Sequence, residues 1–233
     1  MGNVTGSGSP ETLNDTAGDD TITALAGDDT IIVSLGGTDS VDGGADNDRL
    51  VLDARVLGGG INLAAPAAGA DGLSGSATWT NEQVSFQHIE NFTIFSSGGS
   101  FADNVTTGAG DDVFYHYGID NTTYAADTID LGAGSNDLLV ADFSALTTHN
   151  VIGYLDFTPG HNLLTVDNVT KIDFTNVERL HLIGSALVDN VTGLSGDDIL
   201  EGRAGNDTLN GAAGQRERQF RHRQRQRQRR RRR

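Results

Sequence analysis

Apolar residues recur every nine or ten positions near the start of the chain, and each follows an acidic residue by two positions. The run consists of Leu13, Ile22, Ile31, Val41 and Leu50. A helix would not hold one acidic and one apolar side chain in register at this period with glycines scattered between them. A turn followed by a short strand would, because alternate residues of a strand face the same side. The pattern therefore predicts stacked short strands in which two units form one coil and the apolar side chains fill a narrow core.

The same unit, an aspartate followed two positions later by an apolar residue, returns in two further parts of the chain. Its aspartates are Asp20, Asp29, Asp39, Asp48, Asp103, Asp112, Asp127, Asp137, Asp189, Asp198 and Asp207. Glycine stands two residues before several of them, at Gly18, Gly27, Gly110, Gly196 and Gly205. Glycine at this place indicates a tight turn with positive φ. The chain therefore uses one turn-and-strand unit repeatedly.

Stacking of these units brings like charges together. Asp20 would lie above Asp39, and Asp29 above Asp48, at the strand spacing of about 4.8 Å. Residues 1–214 carry 5 basic against 31 acidic residues, a net charge of −26. Such rows of carboxylates repel one another unless cations lie between them. Several Ca²⁺ ions are the predicted cofactor, because Ca²⁺ accepts 6–8 oxygen ligands in flexible geometry whereas Mg²⁺ needs a smaller octahedral site.

The units resemble the Gly-Gly-x-Gly-x-Asp-x-apolar-x nonapeptide of the RTX, or haemolysin-type, calcium-binding proteins. The best matches are residues 17–22, 26–31, 195–200 and 204–209. The resemblance implies an all-β, right-handed parallel β-roll or β-helix solenoid, with calcium-bound turns alternating with metal-free coils. Carried over by position, the implied calcium ligands are Asp20, Asp29, Asp39, Asp48, Asp112, Asp198 and Asp207 with Gly18, Gly27, Gly110, Gly196 and Gly205, followed in looser register by Asp103, Asp127, Asp137 and Asp189.

Two segments between the repeat blocks, 54–102 and 143–188, are unlike the nonapeptides but like each other. Phe86 and Phe174 are 88 positions apart, as are Glu90 and Glu178. Apolar alternation with β-branched and aromatic residues predicts strands in both segments. We expect one continuous parallel solenoid with these segments as its metal-free parts, or, for 58–82, a flexible loop. The calcium-binding blocks are then residues 1–53, 103–142 and 189–214.

The segment 215–233 interrupts the repeat in the middle of a unit. The register predicts an aspartate at position 216 and an apolar residue at 218, but both are arginines, and the segment carries 11 arginines against one glutamate. We interpret it as an unstructured, out-of-frame reading of further repeat codons, which the nucleotide sequence would test. The alternative is an arm that binds nucleic acid or anionic lipid. Under the favoured interpretation there is no nucleic-acid partner.

Several functions and locations are disfavoured by the sequence. The chain has no cysteine, which excludes disulfides and thiol chemistry. It lacks a Sec-type signal at the start and any apolar run of the roughly 18 residues that a membrane span needs. No zinc-protease motif, nucleophile elbow, P-loop or EF-hand occurs, so we expect no enzymatic activity. The dispersed histidines are expected on solvent-facing or strand-surface positions: His88, His116, His149, His161 and His181.

These observations favour a non-catalytic calcium-binding region of a secreted protein, folded by extracellular Ca²⁺. The resemblance adds export by type I secretion machinery, and hence an extracellular location. One alternative is the C-terminal repeat region of a secreted RTX protease, lipase or epimerase whose catalytic domain is missing. Another is an adhesin or surface-layer module with a cell-surface or glycan ligand.

Overall fold

The computed structural model describes residues 2–34, 36–55, 59–96, 101–117, 125–155 and 161–212. These residues form 22 β-strands, numbered here in chain order, which confirms the expected all-β fold. They contain no helix, and therefore none long and apolar enough to cross a membrane. The arginine-rich segment 215–233 lies outside the described residues, so both hypotheses about it stay predictions.

Eight strands form one sheet in which every neighbouring pair runs parallel. In spatial order they are β2 (Thr12–Asn14), β4 (Thr30–Val33), β6 (Arg49–Asp53), β11 (Asn91–Phe95), β13 (Val113–His116), β15 (Leu138–Asp142), β19 (Arg179–Ile183) and β21 (Ile199–Glu201). Leu13 pairs with Ile31, and Ile31 with Leu50, so equivalent residues of successive coils are direct neighbours. This is the connectivity of a solenoid.

Fourteen strands form the second sheet. Its path is β1 (Gly2–Thr5), β3 (Asp20–Thr23), β5 (Gly37–Asp42), β10 (Glu82–Ile89), β9 (Gly72–Trp79), β7 (Asn62–Leu63), β12 (Asn104–Thr106), β14 (Asp127–Asp130), β18 (Val169–Thr175), β17 (Asn162–Val166), β16 (Val151–Leu155), β20 (Asn190–Thr192) and β22 (Thr208–Asn210), with β8 (Ala67–Gly69) beside β9. From β1 to β6 the chain alternates between the two sheets, one strand in each per coil.

The core lies between the sheets and consists of apolar side chains stacked along the solenoid. The five residues of the first apolar run are all buried, as their spacing predicts. The inserted segments continue the same core, also as predicted, through Phe86, Ile89, Phe92, Ile94, Phe174, Val177, Leu180 and Leu182. The rings of Phe86 and Phe92 meet edge to face with centroids 5.2 Å apart, which joins the two sheets.

The parallel order is interrupted at two places in the fourteen-stranded sheet, where the sequence predicts continuous parallel coils. The strand β9 runs antiparallel to both β10 and β7, and β17 runs antiparallel to both β16 and β18. In each insertion the first strand, β7 or β16, lies farthest from the preceding coil. The antiparallel strand, β9 or β17, lies beside it, and the third strand, β10 or β18, pairs with the preceding coil. Apolar alternation does not reveal this, because its period of two is the same for parallel and antiparallel strands.

Local turn signals for these reversals are nevertheless present in the sequence. Asp167 and Asn168, between β17 and β18, have φ values of 50° and 64°. Asn81, between β9 and β10, has a φ of 57°. Asn and Asp tolerate positive φ and favour two-residue hairpins. The described part of 58–82 accordingly contains the strands β7, β8 and β9.

Candidate metal centres

The predicted carboxylates stand at or near the starting ends of parallel strands, where they form one row along each sheet. The row of the eight-stranded sheet contains Asp29, Asp48, Asp112, Asp137 and Asp198, and that of the fourteen-stranded sheet contains Asp20, Asp39, Asp103, Asp127, Asp189 and Asp207. All are buried except Asp207, which is half-buried near the end of the described chain. The predicted neighbours Asp20 and Asp39, and Asp29 and Asp48, lie in adjacent coils.

Hydrogen bonds between coils hold these carboxylates in place. The backbone N–H of Asp29 donates to Oδ1 of Asp48 at 2.9 Å, and the N–H of Asp20 donates to Oδ1 of Asp39 at 2.7 Å. Equivalent bonds join Asp103 to Asp127 and Asp112 to Asp137. A carboxylate that accepts a backbone N–H from the preceding coil has a fixed orientation. The repeat therefore aims one oxygen of each carboxylate at the backbone and leaves the other oxygen for a different partner.

For eight of the eleven aspartates, that second oxygen falls into one of two groups. In the described part of the chain, five Oδ2 atoms are buried with no hydrogen-bond partner, those of Asp29, Asp39, Asp48, Asp112 and Asp137. In Asp20, Asp189 and Asp198, by contrast, Oδ2 accepts the N–H of the residue four positions earlier. A buried, unpartnered carboxylate oxygen is costly unless a cation compensates it. The first group therefore fits Ca²⁺, and ligation by individual residues stays a prediction.

Burial shifts the pKa of carboxylates in both groups, since it raises the pKa of Asp112 in the first group and of Asp189 and Asp198 in the second. Burial raises the pKa of Asp48 to about 6, and burial raises the pKa of Asp103 and of Asp137 to about 7. Neighbouring carboxylates add to each of these shifts, Glu90 in the case of Asp48. The pKa of Asp20 is lowered instead, chiefly because the N–H of Thr16 donates to it. Without a cation, several of these carboxylates hold a proton more readily than an exposed aspartate does.

Asp127 has a different partner from the other predicted ligands. Its Oδ2 lies 2.7 Å from Nδ1 of His116, and both side chains are buried. The expectation that all five histidines lie at the surface is therefore wrong for His116. The residue follows a strand pattern in which alternate positions face the core, and β13 places it inward beside Phe143. Ligation of calcium by Asp127 stays a prediction, although its second oxygen already has a partner.

The five predicted glycines lie in the turns, where adjacent coils approach closely. Gly18, Gly27 and Gly205 have φ values of 116°, 107° and 127°, which other residues rarely adopt. A side chain at Gly110 or Gly196 would run into the backbone carbonyl of a neighbouring coil, that of Glu90 or Glu178, respectively. Sequence reasoning missed Gly193, five residues before Asp198, where a methyl group would overlap Oδ2 of that aspartate. This is the first position of the nonapeptide, so the motif itself carries the signal.

Glu90 and Glu178 extend the carboxylate row of the eight-stranded sheet through the inserted segments, which sequence reasoning also missed. The N–H of Asp48 donates to Oε2 of Glu90 at 2.7 Å, and the N–H of Asp137 donates to Oε2 of Glu178 at 3.0 Å. Two residues after each glutamate, the N–H of Phe92 and of Leu180 donates to the next aspartate of the row. The 88-residue spacing of the two glutamates was the available signal.

A sequence model of the RTX calcium-binding nonapeptide repeat matches the chain in four segments, residues 5–36, 31–54, 97–116 and 183–215. No curated protein sequence matches the chain. The matched segments contain nine of the eleven aspartates, and Asp127 and Asp137 lie between them while making the same coil-to-coil hydrogen bonds. Repeat sequence, solenoid fold and carboxylate rows agree, and the chain carries four copies of the RTX calcium-binding nonapeptide repeat.

Proposed function

We propose that the chain is the calcium-binding solenoid of a secreted protein, that extracellular Ca²⁺ drives its folding, and that it has no catalytic activity of its own. The observation that carries this proposal is the set of buried Oδ2 atoms without partners at Asp29, Asp39, Asp48, Asp112 and Asp137. These oxygens come together only when the coils stack. The free energy of binding Ca²⁺ is therefore also free energy of folding.

The expected free energies of calcium binding are compatible with folding that depends on calcium. Extracellular calcium modules bind with Kd values of about 10⁻⁴–10⁻³ M. A site that exists only in the folded state contributes about 1.4 kcal/mol when the ion is present at about ten times its Kd, which millimolar calcium supplies at the tighter end of this range. The body of the chain carries a net charge of −26, and this charge opposes compaction while the ions are absent. Several sites together would decide whether the acidic chain is expanded or folded.

Secretion is supported by the repeat family and by the location of abundant calcium rather than by any contact in the structure. We propose export through type I secretion machinery, which the family resemblance implies. Detection of the protein in the culture medium of cells that carry such machinery, and its retention when the machinery is deleted, would support this step. Retention in both strains would contradict it.

Far-UV circular dichroism of the full chain tests the folding proposal. Millimolar Ca²⁺ should produce a β-sheet spectrum that a chelator abolishes, whereas Mg²⁺ at equal ionic strength should produce much less. The Mg²⁺ control separates specific ligation from general screening of the negative charge. A β-sheet spectrum that does not change with chelator would contradict calcium-driven folding.

A further inference from the structure

Three buried carboxylates converge where the first coils meet the first inserted strands. Asp15 follows β2, Asp39 lies in β5, and Glu82 begins β10. One carboxylate oxygen of each residue lies within 4.8 Å of one oxygen of both others. The three residues are only 5%, 1% and 4% exposed, so water screens their mutual repulsion poorly.

Two of the three carboxylates at this cluster have oxygens without donors, whereas Oδ2 of Asp15 accepts the backbone N–H of Ser34 at 2.8 Å. In the described part of the chain, neither carboxylate oxygen of Glu82 has a hydrogen-bond partner, nor does Oδ2 of Asp39. Oδ1 of Asp39 already accepts the N–H of Asp20. Burial raises the pKa of Glu82 to about 8, Asp39 adds to the shift, and the N–H of Gly36 opposes it. A glutamate this deeply buried, with both oxygens unpartnered and facing two other carboxylates, is costly in its charged form unless a cation compensates it.

We propose that Asp15, Asp39 and Glu82 bind one hard divalent cation, with Ca²⁺ the ion that fits best. A set of carboxylate oxygens without nitrogen or sulfur selects Ca²⁺, Mg²⁺ or Mn²⁺ over zinc and copper. Ca²⁺ also tolerates ligands whose positions are set by three separate strands or turns, because its coordination geometry is flexible.

This three-carboxylate site differs from the turns of the nonapeptide. Glu82 lies outside all four matched repeat segments. Asp15 stands five residues before Asp20, at a position where the repeat motif has glycine. Only Asp39 belongs to the predicted ligand set. The site consequently arises from the junction between the repeat and the insertion, and it does not depend on whether calcium drives folding of the whole chain.

A cation at this site would tie the inserted strands to the first coils. Glu82 is in register with Gly37 of β5, and on its other side it is in register with Trp79 of β9. The ion would therefore join residues 15, 39 and 82 across the place where the sheet changes from parallel to antiparallel. Without it, the three negative charges would oppose the docking of β10 onto β5.

The fluorescence of Trp79 can be used to detect a metal ion at this site. Trp79 is the single tryptophan of the chain, it is buried, and it pairs with Glu82 across the antiparallel strands. Paired residues of antiparallel strands have Cα atoms about 4.5–5.5 Å apart. Terbium, which replaces calcium at oxygen sites, emits when an excited tryptophan lies close to it. Selective excitation of tryptophan therefore reports terbium at this site in preference to the tyrosine-containing parts of the chain.

The test compares terbium emission, excited through Trp79, in the full chain and in two variants. Glu82→Gln keeps the shape of the side chain and removes its charge, and it should weaken terbium binding by about tenfold or more, since even outer partners of metal ligands commonly contribute that much. Glu201→Gln is the matched control, because it makes the same chemical change at a half-buried glutamate of β21, outside the cluster and outside the predicted ligand set. It should keep most of the emission.

The outcomes separate this site from calcium-driven folding. Emission that Glu82→Gln leaves unchanged, or that Glu201→Gln abolishes equally, would overturn the three-carboxylate site. If Glu82→Gln lowers the β-sheet content seen by circular dichroism, Asp15→Asn serves as the second variant, and full emission there overturns the site. If calcium induces β structure but no terbium emission is seen, only the three-carboxylate site is contradicted. If terbium emission is seen but a chelator leaves the β structure unchanged, only calcium-driven folding is contradicted.

Discussion

The backbone N–H of Asp112 donates to Oδ1 of Asp137 at 2.7 Å, while Oδ2 of each of these two carboxylates is buried without a partner in the described structure. The bond orients the carboxylate of Asp137, but each of the two carboxylates keeps one buried oxygen without a hydrogen-bond donor. A partly satisfied buried polar network is costly in a medium of low dielectric constant. The same residues are therefore unfavourable without a cation and favourable with one, which gives mutations at these positions an effect that changes sign with calcium.

Asp112→Asn should show this change of sign. The amide keeps an oxygen that can accept the N–H of Phe92 and removes a buried charge, so without calcium the free energy of unfolding should stay equal or rise. With saturating calcium the variant should be less stable than the natural chain by about 1–3 kcal/mol. Urea unfolding with calcium and with chelator, both in a sucrose concentration that keeps the calcium-free chain folded, measures both values. Asp111→Asn, an exposed neighbour with the same charge change, is the control and should have little effect in either condition.

The stability of the calcium-free fold should fall as pH rises. Burial raises the pKa of Asp48 to about 6 and of Asp137 to about 7, above the value of about 3.9 for an unfolded aspartate. Between these values the folded chain binds more protons than the unfolded chain, so raising the pH favours unfolding. With saturating calcium this slope should largely disappear, because the metal keeps its carboxylate ligands deprotonated and the carboxylates of the unfolded chain are also deprotonated above about pH 5. Urea unfolding at about pH 5 and about pH 8, with calcium and with chelator, both in a sucrose concentration that keeps the calcium-free chain folded, measures both slopes. Calcium-free stability that increases over this range would contradict the assignment.

Glu178 should contribute to stability through its acceptor oxygen rather than through its charge. Glu178→Gln keeps an oxygen for the N–H of Asp137, whereas Glu178→Ala removes it. Loss of the partner of this N–H should cost about 1–3 kcal/mol, and the glutamine variant should lose much less. Thermal unfolding at saturating calcium compares the two. Equal losses would show that the negative charge, not the hydrogen bond, is what matters.

Gly193→Ala should destabilise the last repeats for a steric reason. The new methyl group would overlap Oδ2 of Asp198, which also accepts the N–H of Leu194. Forced displacement in a packed site typically costs about 1–3 kcal/mol. Gly8→Ala is the control, because a methyl group there meets no atom within 4 Å. Both variants are compared by chemical unfolding in calcium, and an equal effect of the two would contradict the steric explanation.

The repeat is the part of the fold that the sequence predicts well. Each aspartate marks the start of a strand and each apolar residue two positions later marks the core, so Asp29 next to Asp48 and Ile31 next to Leu50 follow from counting. This works because a solenoid is built from contacts between residues one coil apart. Local spacing then determines which residues become neighbours in space.

Features formed by the insertions were not predictable in the same way. The contact of Glu82 with Asp15 and Asp39 depends on a reversed strand that brings β10 beside β5, and no regular spacing links position 82 to position 15. The inward position of His116 was missed because histidine has no strong preference for either the core or the surface. The hairpin at Asp167 and Asn168 was encoded locally, but the apolar alternation around it fits a parallel strand equally well.

The two sheets differ in how freely they accept additional chain. Every pair in the eight-stranded sheet is parallel, and both reversals occur in the fourteen-stranded sheet. Glu90 and Glu178 carry the row of hydrogen bonds past both insertions, since their longer side chains reach the N–H that an aspartate of the repeat would otherwise accept. The eight-stranded sheet thus keeps its parallel order throughout, and additional strands are accommodated in the fourteen-stranded sheet. A protein built this way can diversify one side without losing the alignment of the other.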